Sequence, residues 1–472
     1  ALAFFLGLAQ GCGLCFFVGS GSYFSDLFWD PHFSIKACGL FYIPPILVTV
    51  LQLLMSQPLH ARFGVRRAMH YQLLLWSLMA AMLLTSLGAV VGVSPTGAEA
   101  ETVVLAHGLA LGCASAALFG ACNMLFGAVD PHLGPVLLLG QTAAGIYTNV
   151  VAHIVGFRSG CSADSAQMYF YAAAATVVAI GVCYWCCAAC AVLEQPYRVH
   201  AELLRKSSSL SSGGETPSAA STRAPSFSAS SLASDTSAPS SPASPYLAGD
   251  PGELAGDPGE LTLGTLDRRS PIPSAWEDPE ASAREVSVWC LRRCGPPRWC
   301  SGDGCLGFPA ICWSMAACQA IAIAMSMSLM PLANPIAHGR YALSQEVVLS
   351  KLLADFVGRT AFFGVPKPRL GRGVHRHALL VWVMELVRAP MWASIYAWAT
   401  GSSWPSFLEA DAVLLYAVWV PLISMGAFIA SWCTAVAMTA TPDEVKQKAP
   451  LLMSVSVYAG FSLGVLVAAT AS

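Results

Sequence analysis

Charge is what this sequence has least of. Only 11% of its 472 residues are Asp, Glu, Lys or Arg, while 55% are apolar and the mean hydropathy is +0.58. Soluble domains carry about 25% charged residues, so water is not the solvent for most of this chain. Other absences narrow the function. There is no H-E-x-x-H pair for a zinc protease, no Walker loop for an ATP-driven pump, no TVGYG filter and no Arg-rich voltage sensor. Asparagine occurs only at Asn123, Asn149 and Asn334, never opening an N-x-Ser/Thr acceptor, so no N-glycan marks an outer face. The formal net charge of −2 singles out no partner, and no nucleic acid, cofactor or resident metal is expected.

What is abundant is long apolar runs. A bilayer core about 30 Å thick takes roughly 20 apolar residues as a helix, because each backbone N–H and C=O must be satisfied within its own segment. Eleven stretches qualify: Ala1 to Phe24, Cys38 to Leu59, Ala68 to Val93, Val103 to Phe126, Leu133 to Phe157, Met168 to Val192, Phe308 to Ala333, Glu346 to Val365, Ala378 to Thr400, Asp411 to Met438 and Pro450 to Ala471. The expectation is an all-α polytopic membrane protein. The first stretch lacks a basic n-region and is longer than a signal-peptide core, so it reads as a spanning helix of a chain clipped at its start.

Cations alternate sides along the chain. Arg62, Arg66 and Arg67 follow the second run, Lys367, Arg369, Arg372 and Arg376 the eighth, and Lys446 and Lys448 the tenth. The opposite loops hold Lys36, Arg158 and Arg340 singly, among Glu99, Glu101, Glu409 and Asp411. The positive-inside rule then puts the N-terminus in the cytosol and, after an odd number of spans, the C-terminus outside. The plasma membrane is the default location.

Residues 194–307 change character to Ser, Ala, Pro and Gly, with a tandem LAGDPGE repeat from Leu247 to Glu260. Such a stretch cannot bury a core and reads as a disordered cytosolic linker between a six-helix bundle, 1–193, and a five-helix bundle, 308–472. Two bundles joined by a cytosolic loop form the layout of a carrier that holds its solute near the midplane. Most of the 17 cysteines lie in apolar runs, where they act as small hydrophobes. Cys186, Cys187 and Cys190 suit either packing or acylation. Cys290, Cys294, Cys300 and Cys305 lack the paired C-x₂-C spacing of a zinc knuckle.

Ionisable residues inside apolar runs cost several kcal/mol unless they face protein or a wet cavity. Lys351, Asp355 and Arg359 recur every four residues on one face of the eighth run, so that face cannot look at lipid. A carboxylate beside a guanidinium suits a neutral ligand bearing hydroxyls and heterocyclic donors and acceptors. The alternative is a self-neutralising pair that pins two helices together. Glu385 and Arg388 form a second pair, for which bracing a kink at Pro390 competes with solute contact. His107 and His153 suit satisfied packing roles better than proton relay. Gly7, Gly11, Gly13, Gly19 and Gly21 permit close helix approach, and Pro331 and Pro335 break the seventh run.

The run ADFVGRTAF, Ala354 to Phe362, resembles the D-x-x-G-R signature of the equilibrative nucleoside transporters, and GQTAAG, Gly140 to Gly145, resembles that family's G-Q-x-x-A-G. LGLAQGCGLCFFVGSGSYF (Leu6 to Phe24), LFG (Leu125 to Gly127), SWCTAVAMTATPDEVK (Ser431 to Lys446) and YAGFSLGVLVA are similar to further family segments, so the resemblance covers all eleven spans. It implies a major-facilitator-like 6+5 fold and an alternating-access carrier of nucleosides or nucleobases, with no enzymatic step. By resemblance, Asp355 and Arg359 line the central cavity, with Gln141 and Asn123 next and Tyr23, Trp392 and Trp432 as aromatic walls. Departures are Gly13, Leu14 and Cys15 where Pro-Trp-Asn is common, Cys122 where a Gln is common, and Leu352 where an Asn is common. Rival readings are a same-fold carrier for another solute, such as an organic cation or a proton-coupled purine, and a non-transporting scaffold or sensor. The expected partners are a small-molecule solute and membrane lipid, with no oligomeric state implied.

Overall fold

The structure, a computed structural model, describes residues 1–30, 32–93, 97–127, 130, 132–157, 161–190, 305–329, 341–366, 372–400, 412–442 and 445–470, together with 193, 194, 198, 199, 201, 202 and 205. Nearly all of the linker expected at 194–307, its Cys290, Cys294 and Cys300, and Pro331 and Pro335 lie outside the described residues. The described residues fall in one unit, Ala1–Gly214 with Trp299–Ser472, that contains helices from both halves of the chain.

Every described element is helical. In the first half these are α1 (Leu2–Gly19), α2 (Gly21–Phe28), α3 (Phe33–Tyr42), α4 (Pro45–Phe63), α5 (Val65–Gly92), α6 (Ala98–Gly127), α7 (Leu133–Val155) and α8 (Ala163–Ala189). In the second half they are α9 (Ala310–Ser328), α10 (Tyr341–Phe362), α11 (Arg372–Ala399), α12 (Ala412–Ala440) and α13 (Ala449–Ala469), after a one-turn 3₁₀ segment at Cys305–Gly307. Ten helical stretches among the described residues are long and apolar enough to cross a bilayer. The eleventh expected run, α10, is a helix of 22 residues whose ionisable side chains keep it out of that set.

The expected boundaries shift where local chemistry overrides hydropathy. The first span continues past Phe24 to Phe28, bending at Ser20, whose hydroxyl donates to the Phe17 carbonyl at 2.6 Å. It stops where Trp29 turns left-handed at φ 55°. The second span begins at Phe33 and breaks at Pro44 and Pro45, whose rings cannot donate into a helical ladder. Lys36 therefore sits on a helix, tied to Asp30 at 2.8 Å and to Glu101 at 3.1 Å. Glu99 and Glu101 fall in the first turn of α6, where the helix dipole favours carboxylates. Ser162 caps α8 by accepting from the Ser165 N–H at 3.2 Å.

Outward faces of α4, α5 and α11 carry exposed Leu47, Leu51, Leu75, Leu78, Leu379 and Leu386, the surface expected against lipid tails. Inward packing relies on small residues, because lipid is as apolar as leucine and gives helices no solvent-driven reason to associate. α1 and α7 touch backbone to backbone: a Cβ on Gly7 would stand 2.1 Å from the Leu137 carbonyl oxygen, and one on Gly140 would stand 2.0 Å from that of Phe4. The halves meet along two lines. α13 lies against α3, α4 and α6, and α7 lies against α10 and α12.

Gly140→Leu is therefore expected to cost about 1–3 kcal/mol by overpacking, read as a lower thermal midpoint of the detergent-purified protein. Gly39→Ala, with nothing within 4 Å of its new methyl group, should leave the midpoint unchanged.

Candidate functional site

The charged face of α10 lies on the seam between the halves. Asp355 Oδ2 accepts from the Thr142 hydroxyl of α7 at 3.1 Å, and its Oδ1 lies 3.5 Å from Arg359 Nε. Thr142 Oγ1 is also 3.1 Å from the Leu138 carbonyl in its own helix. One hydroxyl has one proton to give, and a carboxylate is the stronger acceptor, so the bond across the seam prevails. Helix approach is close on both sides. A Cβ on Gly145 would stand 2.5 Å from Leu352, and one on Gly358 would stand 2.0 Å from the Ser424 carbonyl of α12. Ser424 in turn donates to the Ala354 carbonyl at 2.9 Å.

Arg359 is 7% exposed, yet its Nε and Nη1 atoms are buried without a hydrogen bond. Desolvated guanidinium donors without acceptors are costly, and folded proteins seldom leave them so. Lys351, one turn further back, is 8% exposed and makes no hydrogen bond or ion pair among the described residues. α7 thus packs against α1 on one side and α10 on the other, with the Thr142–Asp355 bond on the second.

Glu385 and Arg388 behave differently. Arg388 is fully buried and all five of its N–H donors have acceptors. Nε gives to the Leu422 carbonyl of α12, Nη1 to both Glu385 oxygens at 2.8 and 3.0 Å, and Nη2 to the Ala322 carbonyl and Ser326 hydroxyl of α9. This is a brace joining three helices, with no donor left over for a ligand. His107 is satisfied likewise, between the Val103 carbonyl at 2.8 Å and Ser86 at 3.0 Å.

Asn123 of α6 reaches across the seam, donating to Ser454 of α13 at 2.9 Å. With Phe119, Leu138, Gln319, Thr434, Met453 and Val457 it lines a crevice too tight for a water molecule. Gln141 is buried on α7, with its backbone against Gly11 of α1, and its amide makes no hydrogen bond among the described residues. The aromatic candidates lie elsewhere. Tyr23 packs within the first half against Phe24 and Phe157. Trp392 stacks on Tyr396 and donates to Ser328 at 2.9 Å, while Trp432 lies against His377 and Phe428. None of the three has a hydrogen bond or ring contact joining it to Asp355 or Arg359 among the described residues.

Sequence reasoning missed Thr142, Gln319, Ser454, Ser456 and Tyr458. Gln319 of α9 donates to the Ala430 carbonyl at 3.0 Å and to Thr434 at 2.9 Å, and it accepts from Ser456. Gln10 of α1 donates to the Tyr458 hydroxyl at 3.4 Å. The lone Gln319 amide in an apolar run was a usable signal. Thr and Ser were not, because a helical hydroxyl can always bond the carbonyl one turn back.

Arg388→Met should cost about 3–5 kcal/mol by stranding the Glu385 carboxylate, seen as poor expression and a depressed thermal midpoint. Arg359→Met removes a charge without full partners, so its midpoint should match or exceed the wild type. Equal losses at the two positions would refute the distinction between brace and site.

No protein-family model matches the chain, nor does any curated protein sequence. Solved structures do. The proton:xylose symporter XylE of the major facilitator superfamily, bound to 6-bromo-6-deoxy-D-glucose, aligns over 99% of this chain and 86% of its own with TM-score 0.52 at 10% identity. XylE from E. coli in a partially occluded inward-open conformation aligns over 100% and 96% with TM-score 0.46, also at 10% identity. A bacterial homologue of the lysosomal transporter Spinster covers 98% and 79% at 12% identity and TM-score 0.42. At such identity a likeness concerns architecture alone, and the first of these alignments gives this chain the fold of the major facilitator superfamily.

Proposed function

We propose that the chain is a membrane carrier that moves nucleosides or nucleobases by alternating access, with no covalent chemistry. The observation that carries this reading is Arg359, whose Nε and Nη1 are buried without a hydrogen bond beside the 3.5 Å ion-pair contact with Asp355, on the helix that meets the other half. A planar guanidinium fork beside a carboxylate matches a heterocycle with adjacent donor and acceptor atoms. Further support comes from two segments more than 200 residues apart in the chain, GQTAAG and ADFVGRTAF, which meet through the Thr142–Asp355 bond, |i−j| 213. These are the two segments whose resemblance to equilibrative nucleoside transporters is strongest.

The crevice beside Asn123 is too tight for a water molecule, whereas ligand pockets begin at roughly 300 Å³. Admitting a nucleoside therefore requires the halves to part along the seam. Among the described residues the bonds that would break include Thr142 to Asp355, Asn123 to Ser454, Gln10 to Tyr458 and Ser462 to the Tyr42 carbonyl. Each is worth about 0.5–1.5 kcal/mol in exchange for water or ligand, a barrier that thermal motion crosses readily. Rocking of one bundle against the other then exposes the site alternately, and the solute gradient sets the direction.

One neighbour of the same fold couples a sugar to protons. Asp355, half-buried at the seam and bonded to only one neutral donor, is where such coupling would reside in this chain. Pyrimidine or purine uptake measured across pH and membrane potential separates the coupled from the uncoupled form.

The deciding experiment is competition uptake of labelled adenosine, uridine and hypoxanthine in transporter-deficient cells expressing the chain. Arg359→Ala should abolish uptake with folding and surface level unchanged, and undiminished uptake would remove Arg359 from the site. In the exchange Asp355→Arg with Arg359→Asp, full recovery of transport would reduce the pair to mutual neutralisation.

A further inference from the structure

Four cysteines close α8. Cys183, Cys186, Cys187 and Cys190 follow one another at i, i+3, i+4 and i+7, and the Cys190 N–H still donates to the Cys186 carbonyl at 2.9 Å. Helical periodicity gathers all four within an arc of roughly 100° on one face. That face is not core. Cys183, Cys186 and Cys190 are exposed and Cys187 is half-buried, whereas the side packed on α5 buries Ile180, Tyr184 and Ala188, with Tyr184 against His70. Cys12, Cys38, Cys122, Cys312, Cys318 and Cys433 are buried, so packing accounts for them but not for the α8 stripe. The four thiols are free, and among the described residues no group of His, Cys, Asp and Glu is placed to hold a metal ion.

The stripe also has a definite depth. With 27 residues α8 is about 40 Å long, which outruns a hydrocarbon core of about 30 Å. Trp185 is exposed, its ring 4.8 Å from that of His70 on α5, and Tyr71 beside His70 is exposed too. Outward aromatics at one level mark a membrane–water interface. Just beyond them Arg66, at the start of α5, lies 3.9 Å from Glu194, and Arg198 lies 3.8 Å from the same carboxylate. This end of α8 is therefore on the cation-rich side, the cytosolic one by the positive-inside rule.

We propose that the stripe is a site of S-acylation, at which Cys186 and Cys190 carry long-chain fatty acyl groups. The co-substrate is a long-chain acyl-CoA thioester. The cysteine sulfur attacks the thioester carbonyl carbon, and a new S–C bond forms as the bond from that carbon to the CoA sulfur breaks. The proton lost by the cysteine ends on the CoA thiol, and no atom changes oxidation state. Cys186 and Cys190, one turn apart at the surface end, set both chains along the outward face that already carries exposed Val178 and Val182. Cys183 lies a further turn into the tails, away from a donor in water, and Cys187 is partly covered.

The test uses the full chain expressed in cultured cells. Free thiols are blocked, thioesters are cleaved with hydroxylamine, and the released thiols are tagged with a polyethylene glycol maleimide that adds one gel shift per site. Wild type should show a hydroxylamine-dependent ladder and incorporate alkyne-tagged palmitate. Cys186→Ser with Cys190→Ser should shorten the ladder and lower palmitate incorporation at an unchanged thermal midpoint, since both side chains are exposed, and Cys186→Ala with Cys190→Ala should do the same. Cys113→Ser, at a half-buried cysteine of α6, should leave the ladder whole. A ladder absent from wild type, or one of full length in both double variants, overturns the proposal.

Discussion

A charge buried in a membrane protein has to be answered, and the architecture of this chain is arranged round how its charges are answered. Arg388 is answered completely, by two carboxylate oxygens, two carbonyls and a hydroxyl drawn from three helices. Its energetic role is local cohesion, since removing any one partner strands the others. Arg359 is answered incompletely, and it lies on the helix that touches the opposite half. A protein can keep such groups only if the folded state is stabilised elsewhere, and here close packing of α1 on α7 and of α10 on α12 supplies that stability. Incomplete satisfaction at one place and full satisfaction at another thus distinguish Arg359 from the closed brace round Arg388.

The same separation governs motion. Within each half, contacts are backbone against backbone, as at Gly7 with Leu137 and Gly358 with Ser424, and such contacts tolerate no sliding. Between halves, the polar contacts among the described residues include single hydrogen bonds from Thr142 to Asp355, Asn123 to Ser454, Gln10 to Tyr458 and Ser462 to the Tyr42 carbonyl. Groups of this kind exchange one partner for another at small net cost. Glycine permits close approach across the seam as well, at Gly127 against Pro450 and Gly145 against Leu352, but there it meets side chains and not backbone.

Much of this was legible before any coordinates. Eleven helical runs followed from hydropathy, and ten of them reappear as stretches fit to cross a bilayer. The eighth was found from its apolar length in spite of its charges, and the four-residue spacing of Lys351, Asp355 and Arg359 correctly placed them on one face. Helix ends were less legible. The starts of α3, α6 and α8 come several residues before the apolar runs do, because Lys36, Glu99, Glu101, Asp164 and Ser162 are accommodated by ion pairing, dipole and capping rather than by hydropathy. Nor could spacing show that Glu385–Arg388 is closed while Asp355–Arg359 is open, since both pairs look alike as i, i+3 or i, i+4 neighbours. That distinction resides in acceptors from other helices, such as the Leu422 and Ala322 carbonyls, which no pattern along the chain reveals.

The departures from the nucleoside-transporter pattern gain meaning from their positions. Cys15 stands where the resemblance implies an Asn, Leu352 where it implies another Asn, and Cys122 where it implies a Gln. Cys15 lies half-buried on α1. Leu352 is pressed against Gly145 of α7 beside the Thr142–Asp355 bond. Cys122 is sealed in the core next to Asn123. Each change deletes a neutral amide, a group that offers a donor and an acceptor at once and so reads an uncharged base. The three changes remove amides only at those positions, while Asn123 and Gln141 keep theirs buried on α6 and α7, the first of them bonded across the seam to Ser454. Departures and retained polar groups are therefore interleaved along the same helices, so a likeness in pattern at Asp355 and Arg359 does not extend to the residues packed round them.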